Sequence, residues 1–317
     1  KAASKNLPAQ IVDKVQTYEK KSDLAMLTGF DDGDAEAVIN LTVKPGMKQG
    51  WFGNAFAGAG SRGRYDVNTM LNRFVDDDQF SLMGGINNTN NMGFTDFAAA
   101  AFGGGPGGGR HRFGGFGAGN GITSSGNVGT NFNKRLAKDL TVGGNVRFSG
   151  SDNEARAKTD RQNILAGDST SFDHAESASD TRTRNVGFNL HLEWKPDSLT
   201  QVIFRPEFSY GTTHTDAEEL THTLSGSLDS VNASRSRSRV DGHALTASAK
   251  LDVSRKLNSR GRTLTLSVSG GGNQSIDNTL NRSDTRFLLF ADSTQTIDQQ
   301  VHNDTRGYNV RGKVAWV

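Results

Sequence analysis

Apolar and polar residues alternate with a period of two over several segments of this chain, the mark of strands whose two faces meet different surroundings. Val186, Phe188, Leu190, Leu192 and Trp194 fall on one face, and Asn185, Gly187, Asn189, His191, Glu193 and Lys195 on the other. After Pro196, Asp197 and Ser198 comes a mate, with Val202, Phe204, Pro206, Phe208 and Tyr210 set against Ile203, Arg205, Glu207 and Ser209. The same pattern marks strands at Leu140, Val142, Val146 and Phe148; at Leu245, Ala247, Ala249, Leu251 and Val253; at Leu264, Leu266 and Val268; and at Tyr308, Val310, Val314 and Trp316. Weaker versions at 50–60, 64–75, 79–88 and 127–136 bring the expected total to about ten strands.

A soluble sandwich alternates in the same way, with its apolar face turned to a second sheet. The connections separate the two cases. Short ones are expected at 75–78, 137–139, 195–199 and 256–262, and long ones at 88–127, 150–182, 212–241 and 270–306, with 61–64 as a short exception. Short turns at one rim and long loops at the other are the habit of a transmembrane β-barrel. With the first strand rising from the periplasm, Trp51, Trp194 and Trp316 fall at the periplasmic rim and Tyr65, Tyr210 and Tyr308 at the outer rim. Two such girdles are expected where ring systems sit at headgroup level; chance collection of aromatics at strand ends is the plainer alternative.

A repeat runs through the second half. Gly167-Asp168-Ser169-Thr170, Leu228-Asp229-Ser230-Val231 and Ala291-Asp292-Ser293-Thr294 recur at spacings of 61 (229 minus 168) and 63 (292 minus 229), each ahead of a polar stretch and a descending strand. One unit corresponds to a hairpin with its outer loop. A propeller, with four short strands in roughly 40–50 residues, does not match.

Composition supports this reading. Only 34% of the 317 residues are hydrophobic, Gly numbers 38 and Phe 18, which is poor material for a large soluble α/β core. No run approaches the roughly 18 apolar residues of a membrane helix, which excludes a helical membrane protein. Cysteine is absent, so there is no disulfide framework and no thiol chemistry. The net charge of +2 balances 36 basic against 34 acidic residues and gives no global pull toward nucleic acid.

Residues 1–46 read differently. Pro8 starts a brief helical turn that leads into a strand through Val15 and Thr17, and a second strand is expected over 37–44, closed by Pro45 and Gly46. The order Leu7-Pro8-Ala9, Ile11-Val12-Asp13-Lys14-Val15, Gly29 to Gly33, and Ala37-Val38-Ile39-Asn40-Leu41-Thr42-Val43-Lys44 resembles the last part of the plug domain of TonB-dependent receptors. Gly50-Trp51-Phe52-Gly53 resembles their first barrel strand. The Asn-Asn-Thr-Asn-Asn run at 87–91 and the Gly-rich stretch 103–121 resemble the outer-membrane β-barrel family related to SusC-like receptors. The likeness is specific over about 1–150 and generic beyond. It departs at Asp31-Asp32-Gly33-Asp34-Ala35-Glu36, where many receptors carry a small, Gly-rich stretch.

The resemblance implies an all-β fold: an antiparallel transmembrane β-barrel, 47–317 being its N-terminal portion with long extracellular loops, preceded by the C-terminal part of an α+β plug domain at 1–46. It also implies about twice as many strands in the full barrel and a plug that begins before Lys1, so the chain is expected to be incomplete at both ends. By the same resemblance the expected location is the bacterial outer membrane, and the expected partners are outer-membrane lipid, lipopolysaccharide and a TonB-type energy-coupling protein, with surface lipoproteins or other outer-membrane subunits as further candidates. No cofactor and no nucleic acid is expected.

The candidate ligand or partner loop holds Phe102, Arg110, His111, Arg112, Phe113 and Phe116 among glycines, a setting for stacking and cation–π contact or for a low-complexity cap. Arg147, His191, Glu193, Arg205, Glu207, Lys250, Asp252, Arg311 and Lys313 are expected to face the lumen, lining a polar passage or holding the plug. Asp31, Asp32, Asp34 and Glu36 offer oxygen ligands for calcium but lack the spacing of a calcium loop, and a solvated turn is the better explanation; Asp76, Asp77 and Asp78 form a second acidic turn. The alternating arginines of 234–239 are expected on one face near the outer rim, against lipopolysaccharide or in the lumen lining. No catalytic or metal-ligand spacing is present, so no enzyme is expected. Three functions remain open: a plugged transport barrel for a glycan, peptide or chelate; a barrel of the same family serving as scaffold or assembly component; and a soluble all-β adhesin or carbohydrate-binding protein.

Overall fold

The computed structural model describes residues 12–20, 36–43, 49–76, 78–90, 121–164, 170–258, 262–289 and 293–316. Two separate antiparallel ladders account for nearly all of them. The first joins β1 (Val12–Lys20) to β2 (Glu36–Val43), with Lys20 opposite Glu36 and Val12 opposite Val43. These are the two strands expected in the N-terminal segment.

The second ladder has ten strands: β3 (Gln49–Ala59), β4 (Tyr65–Val75), β5 (Asp78–Asn87), β6 (Ile122–Ala137), β7 (Leu140–Ile164), β8 (Thr170–Trp194), β9 (Thr200–Ser225), β10 (Ser230–Lys256), β11 (Thr263–Phe287) and β12 (Ser293–Trp316). Each pairs with the next in chain order, so the sheet is a plain meander with β3 and β12 at its edges. The fold is thus all-β and antiparallel, with the ten strands that the alternation announced.

The expected short turns are present. Between β8 and β9, Asp197 accepts from the Leu199 and Thr200 amides at 2.7 and 2.8 Å, an Asx-type turn that satisfies two backbone donors at once. Between β3 and β4 a 3-10 turn spans Ser61–Gly63, where Arg62 and Gly63 adopt φ of 59° and 69°.

Of the expected long loops, 150–164, 170–182, 212–225, 230–241, 270–287 and 293–306 are instead strand, and the loop expected at 88–127 lies mostly outside the described residues. β7 to β12 run for 24 to 27 residues, so the outer connections shrink to tips such as 226–229, where Leu228 takes φ 67° and its amide donates to the Ser225 carbonyl at 2.9 Å. The reason is a second kind of alternation. Along 234–239 and 176–184 a small Ser or Thr faces one way and a charged residue the other, with Ala178 the exception on the charged side. Period two persists, but between two polar classes, and cross-strand pairing stabilises it. Of the repeated Asp-Ser pairs, Ser230 opens β10 and Ser293 opens β12, while Asp168, Ser169 and Asp292 lie outside the described residues.

Successive rungs differ sharply in chemistry. Asn72, Ser81, Asn131, Asn145 and Asn189 are consecutive partners on one rung, and Leu71, Leu82, Thr130, Val146 and Phe188 on the next. Burial is inverted relative to a water-soluble protein. Every buried residue of the sheet lies on the polar face, among them Asn72, Ser81, Asp252, Ser254, Thr263 and Thr265, while Leu71, Leu82, Phe204, Phe208 and Leu266 on the other face are exposed. Among the described residues no second layer covers the apolar face; the strands make their substantial contacts with ladder neighbours. The polar face also encloses apolar groups: Met70 and Met83 are buried on β4 and β5, and Ile203 and Ala217 on β9, and Phe52 stacks on Phe74 with ring centroids 5.2 Å apart.

Candidate membrane face and polar lining

Register fixes which candidate residue belongs to which face. Trp51 opposes Arg73, Trp194 opposes Leu140 and Trp316 opposes Leu264; Tyr65, Tyr210 and Tyr308 oppose Ala59, Val186 and Gly272. All six aromatics lie on the apolar face and are exposed. Several keep a polar companion: the Trp194 indole donates to Asp139 at 3.1 Å, the Arg73 guanidinium lies 5.3 Å over the Trp51 ring, and Tyr210 sits 6.5 Å from His243. An aromatic body with a polar partner at one edge suits an interface where one side is wet.

Between these ends runs an apolar band. In the segments 140–148, 186–194, 202–210, 245–253 and 308–316, each nine residues long, every side chain on this face is apolar, aromatic or glycine. Nine residues span about 30 Å along a strand, or about 23 Å of height at a tilt of about 40°. The band stops abruptly. At the end away from Trp194 and Trp316, the next charged or imidazole residues on the same face are Asp152, Arg184, His214, His243 and Arg306; at the other end Arg255 follows Val253.

Within the band Gly144 is a close approach. A Cβ there would lie 2.6 Å from the Asn189 carbonyl oxygen and 3.3 Å from the Phe132 ring. The aromatic ring lies over the bare backbone and supplies the apolar cover that glycine lacks.

Arg147, His191, Glu193, Arg205, Glu207, Lys250, Asp252, Arg311 and Lys313 all lie on the opposite, polar face. The structure draws some of them together. Asp252, only 8% exposed, receives Arg205 at 3.1 Å and Lys250 at 3.2 Å on one carboxylate oxygen and the Ser267 hydroxyl at 2.6 Å on the other. Glu193 pairs with Lys195 at 2.7 Å and accepts from Gln201 at 2.7 Å. A carboxylate shared by two cations on an enclosed polar wall is a fixed charge site, held without a net neutral pair. Phe102, Arg110, His111, Arg112, Phe113 and Phe116 lie outside the described residues, as do Asp31, Asp32, Asp34 and Asp77; Glu36 opens β2. Among the described residues no group of three His, Asp or Glu is placed to hold a metal ion.

Sequence reasoning missed an ion-pair lattice on the outer extension of the sheet, beyond the apolar band. Arg184 meets Asp152 at 2.8 Å, Arg156 meets Asp180 at 3.1 Å and Lys158 meets Glu176 at 2.6 Å. Glu218 holds both Arg235 and Arg237, and these guanidinium contacts keep its carboxyl below the usual range. The arginines of 234–239 are therefore on the apolar band's side of the sheet, not in its polar lining, and all three are paired, Arg239 with Asp216 and Asp241 at 3.6 Å each. His214 bridges Asp241 at 2.5 Å and Asp216 at 2.8 Å; those two hydrogen bonds raise its pKa. The period-two alternation of charge with Ser or Thr was the available signal, and it needed strand register to become legible.

No protein-family profile matches the chain, and no curated protein matches it. Among solved structures, the ferric yersiniabactin uptake receptor FyuA from Yersinia pestis aligns at 12% identity with a TM-score of 0.21, over 95% of this chain and 49% of that one. The chain thus spans about half the length of that receptor, and a likeness at this level fixes neither fold nor function.

Proposed function

We propose that this chain is part of an outer-membrane β-barrel wall, apolar face to lipid and polar face to an aqueous lumen, serving a receptor and transporter of the TonB-dependent type. The observation that carries the membrane reading is the inverted burial: Asn72, Asp252 and Thr265 are enclosed while Phe204, Phe208 and Leu266 are exposed. In water that arrangement forfeits the apolar burial which drives folding, and in a bilayer it is the stable one, since lipid solvates the apolar band and the ladder satisfies the backbone. The band height of about 23 Å is close to the 25 Å of outer-membrane barrels.

Transport is the finer claim. It is supported by the lumen-side charges fixed around Asp252 and by the resemblance of 1–150 to plug and first-strand sequences, with β1 and β2 as the end of the plug. A ligand would bind the outer extension and plug, and a periplasmic energy-coupling protein would displace the plug. Purification from native membranes tests this. The proposal expects extraction only with detergent and a small ligand, glycan or chelate bound; a fixed multi-protein complex without ligand would assign a scaffold role, and a monomer soluble without detergent would overturn the membrane reading.

A further inference from the structure

The charges of the polar face are segregated along the strands β7 to β12. On their outer halves that face carries Arg161 against Asp173, Glu219 and Asp277, an excess of two acids (three minus one). At the depth of the apolar band it carries Arg147, Arg205, Lys250, Arg311 and Lys313 against Glu193, Glu207 and Asp252, an excess of two bases (five minus three).

The basic excess gathers over β11. Lys250, Ser269 and Arg311 are consecutive partners on one rung, and Asp252, Ser267 and Lys313 on the next. Gly271 occupies the rung on the other side, between Ser248 and Asn309. Two hydroxyls and a bare glycine therefore floor a trough between the longer side chains of β10 and β12, about 10 Å across from two strand spacings of about 4.8 Å.

One wall of the trough is held in place. Asp252 receives Arg205 at 3.1 Å and Lys250 at 3.2 Å and is itself fixed by the Ser267 hydroxyl at 2.6 Å, so a single negative charge is shared by two cations and one positive charge is left over. The Lys250 side chain stays half-exposed. The other wall is Arg311 and Lys313, both exposed and without a carboxylate partner among the described residues. The next acids on this face stand off: Glu207 is on β9, two strands from β11, and Asp277 is three rungs beyond Gly271. At about 0.1 M salt the screening length is about 10 Å, so the potentials of the two walls overlap across the trough. Guanidinium and ammonium groups converging from both sides match the oxygens of a carboxylate or phosphate, and rings of Arg and Lys select anions in pores.

We propose that this trough seats the anionic group, carboxylate or phosphate, of a cargo crossing the lumen, and that it makes the wall anion-selective. The inference rests on the membrane and transport reading above and adds to it a site and a charge class of substrate.

The test places the full protein, purified from its native membrane, in a planar lipid bilayer and reads the reversal potential in a KCl gradient after urea has displaced the plug. Chloride is expected to be the more permeant ion, and its permeability relative to potassium should fall about twofold or more in Lys250→Gln/Arg311→Gln/Lys313→Gln. Arg311→Gln/Lys313→Gln, which leaves every contact of Asp252 in place, serves as the second variant and should shift the ratio in the same direction. Glu207→Gln should shift it the opposite way. Citrate and inorganic phosphate, added in turn, are expected to reduce the chloride current of the wild type and not of the triple variant, and the stronger of the two identifies carboxylate or phosphate as the group seated. A cation-selective wild type, a ratio unchanged in both cation variants, or block by neither anion would overturn the proposal. Current through the triple variant before urea, with selectivity after urea unchanged, would also overturn it by assigning these cations to holding the plug. A protein that needs no detergent and forms no pore brings down the membrane reading as well, whereas a pore indifferent to these charges removes this inference alone.

Discussion

Ser81 donates a 2.6 Å hydrogen bond to Asn72 across the β4–β5 ladder, and both are more enclosed than the leucines beside them: Asn72 is 6% exposed, Leu71 38%. Buried polar groups persist when hydrogen-bonded, and this pair meets that requirement on one side only, because the Asn72 amide nitrogen has no partner. Ser81→Ala removes the single bond and is expected to cost about 1 kcal/mol, read as a lower urea midpoint in vesicles with an unchanged slope.

Adjacent rungs should respond oppositely to charge. Leu190→Lys places an ammonium in the middle of the apolar band and is expected to destabilise the inserted state by about 2–4 kcal/mol. Ser209→Lys, on the polar face and exposed, should stay within about 0.5 kcal/mol. Urea unfolding from lipid vesicles compares the two, and equal effects would contradict the assignment of faces.

Asp252 holds two cations and a hydroxyl with little access to solvent. Asp252→Ala leaves Arg205 and Lys250 facing each other unscreened and is expected to cost about 2–3 kcal/mol, nearer the loss on breaking a buried pair than that of a surface one. Lys250→Ala, which leaves the Arg205 contact intact, should cost clearly less in the same unfolding assay.

Gly144→Val tests close packing under the Phe132 ring. The new Cβ would press on the Asn189 carbonyl oxygen at 2.6 Å, a backbone contact that cannot swing away, and a loss of about 1–3 kcal/mol is expected. A Phe132→Ala variant should relieve only the ring contact and leave most of that penalty in the double mutant.

His214 gives the outer extension a pH dependence. Its pKa is raised in the fold by Asp241 and then Asp216, so its contribution is fully present below the unfolded value of about 6.5 and is lost as pH rises through the folded one. Amide protection factors in the β9–β10 tip, corrected for the intrinsic pH dependence of exchange, are expected to be higher at mildly acidic than at alkaline pH, and His214→Gln should flatten that difference. Glu218 acts with the opposite sign: its depressed carboxyl contributes above its ordinary value and loses its hold as acid protonates it.

The band was legible in the sequence because Phe188, Leu190, Phe204 and Phe208 alternate with Asn189, His191, Arg205 and Glu207, and hydropathy carries that contrast directly. The turn at Asp197 was legible for its turn chemistry. The outer halves of β7 to β12 were not, since a Ser-Arg-Ser-Arg run has no hydropathy period and Ser, Asn and Asp disfavour strands intrinsically. Only the neighbour across the ladder, Glu218 for Arg235 or Asp180 for Arg156, makes those segments stable as strands. The Asp252 cluster was foreseen face by face, but not as one site, because its members come from three different strands. The Phe52 and Phe74 stack on the polar wall went unseen because those residues share the period-two pattern of any other aromatic.

The β10–β11 ladder runs without a bulge from Asn232 opposite Phe287 to Lys256 opposite Thr263. A ribbon bonded along its whole length has no hinge at which to shed a push. Were a ligand to press on the distant tip, the load would pass undivided along the ladder, as through a beam, toward the stretch where Asp252 grips Arg205 and Lys250.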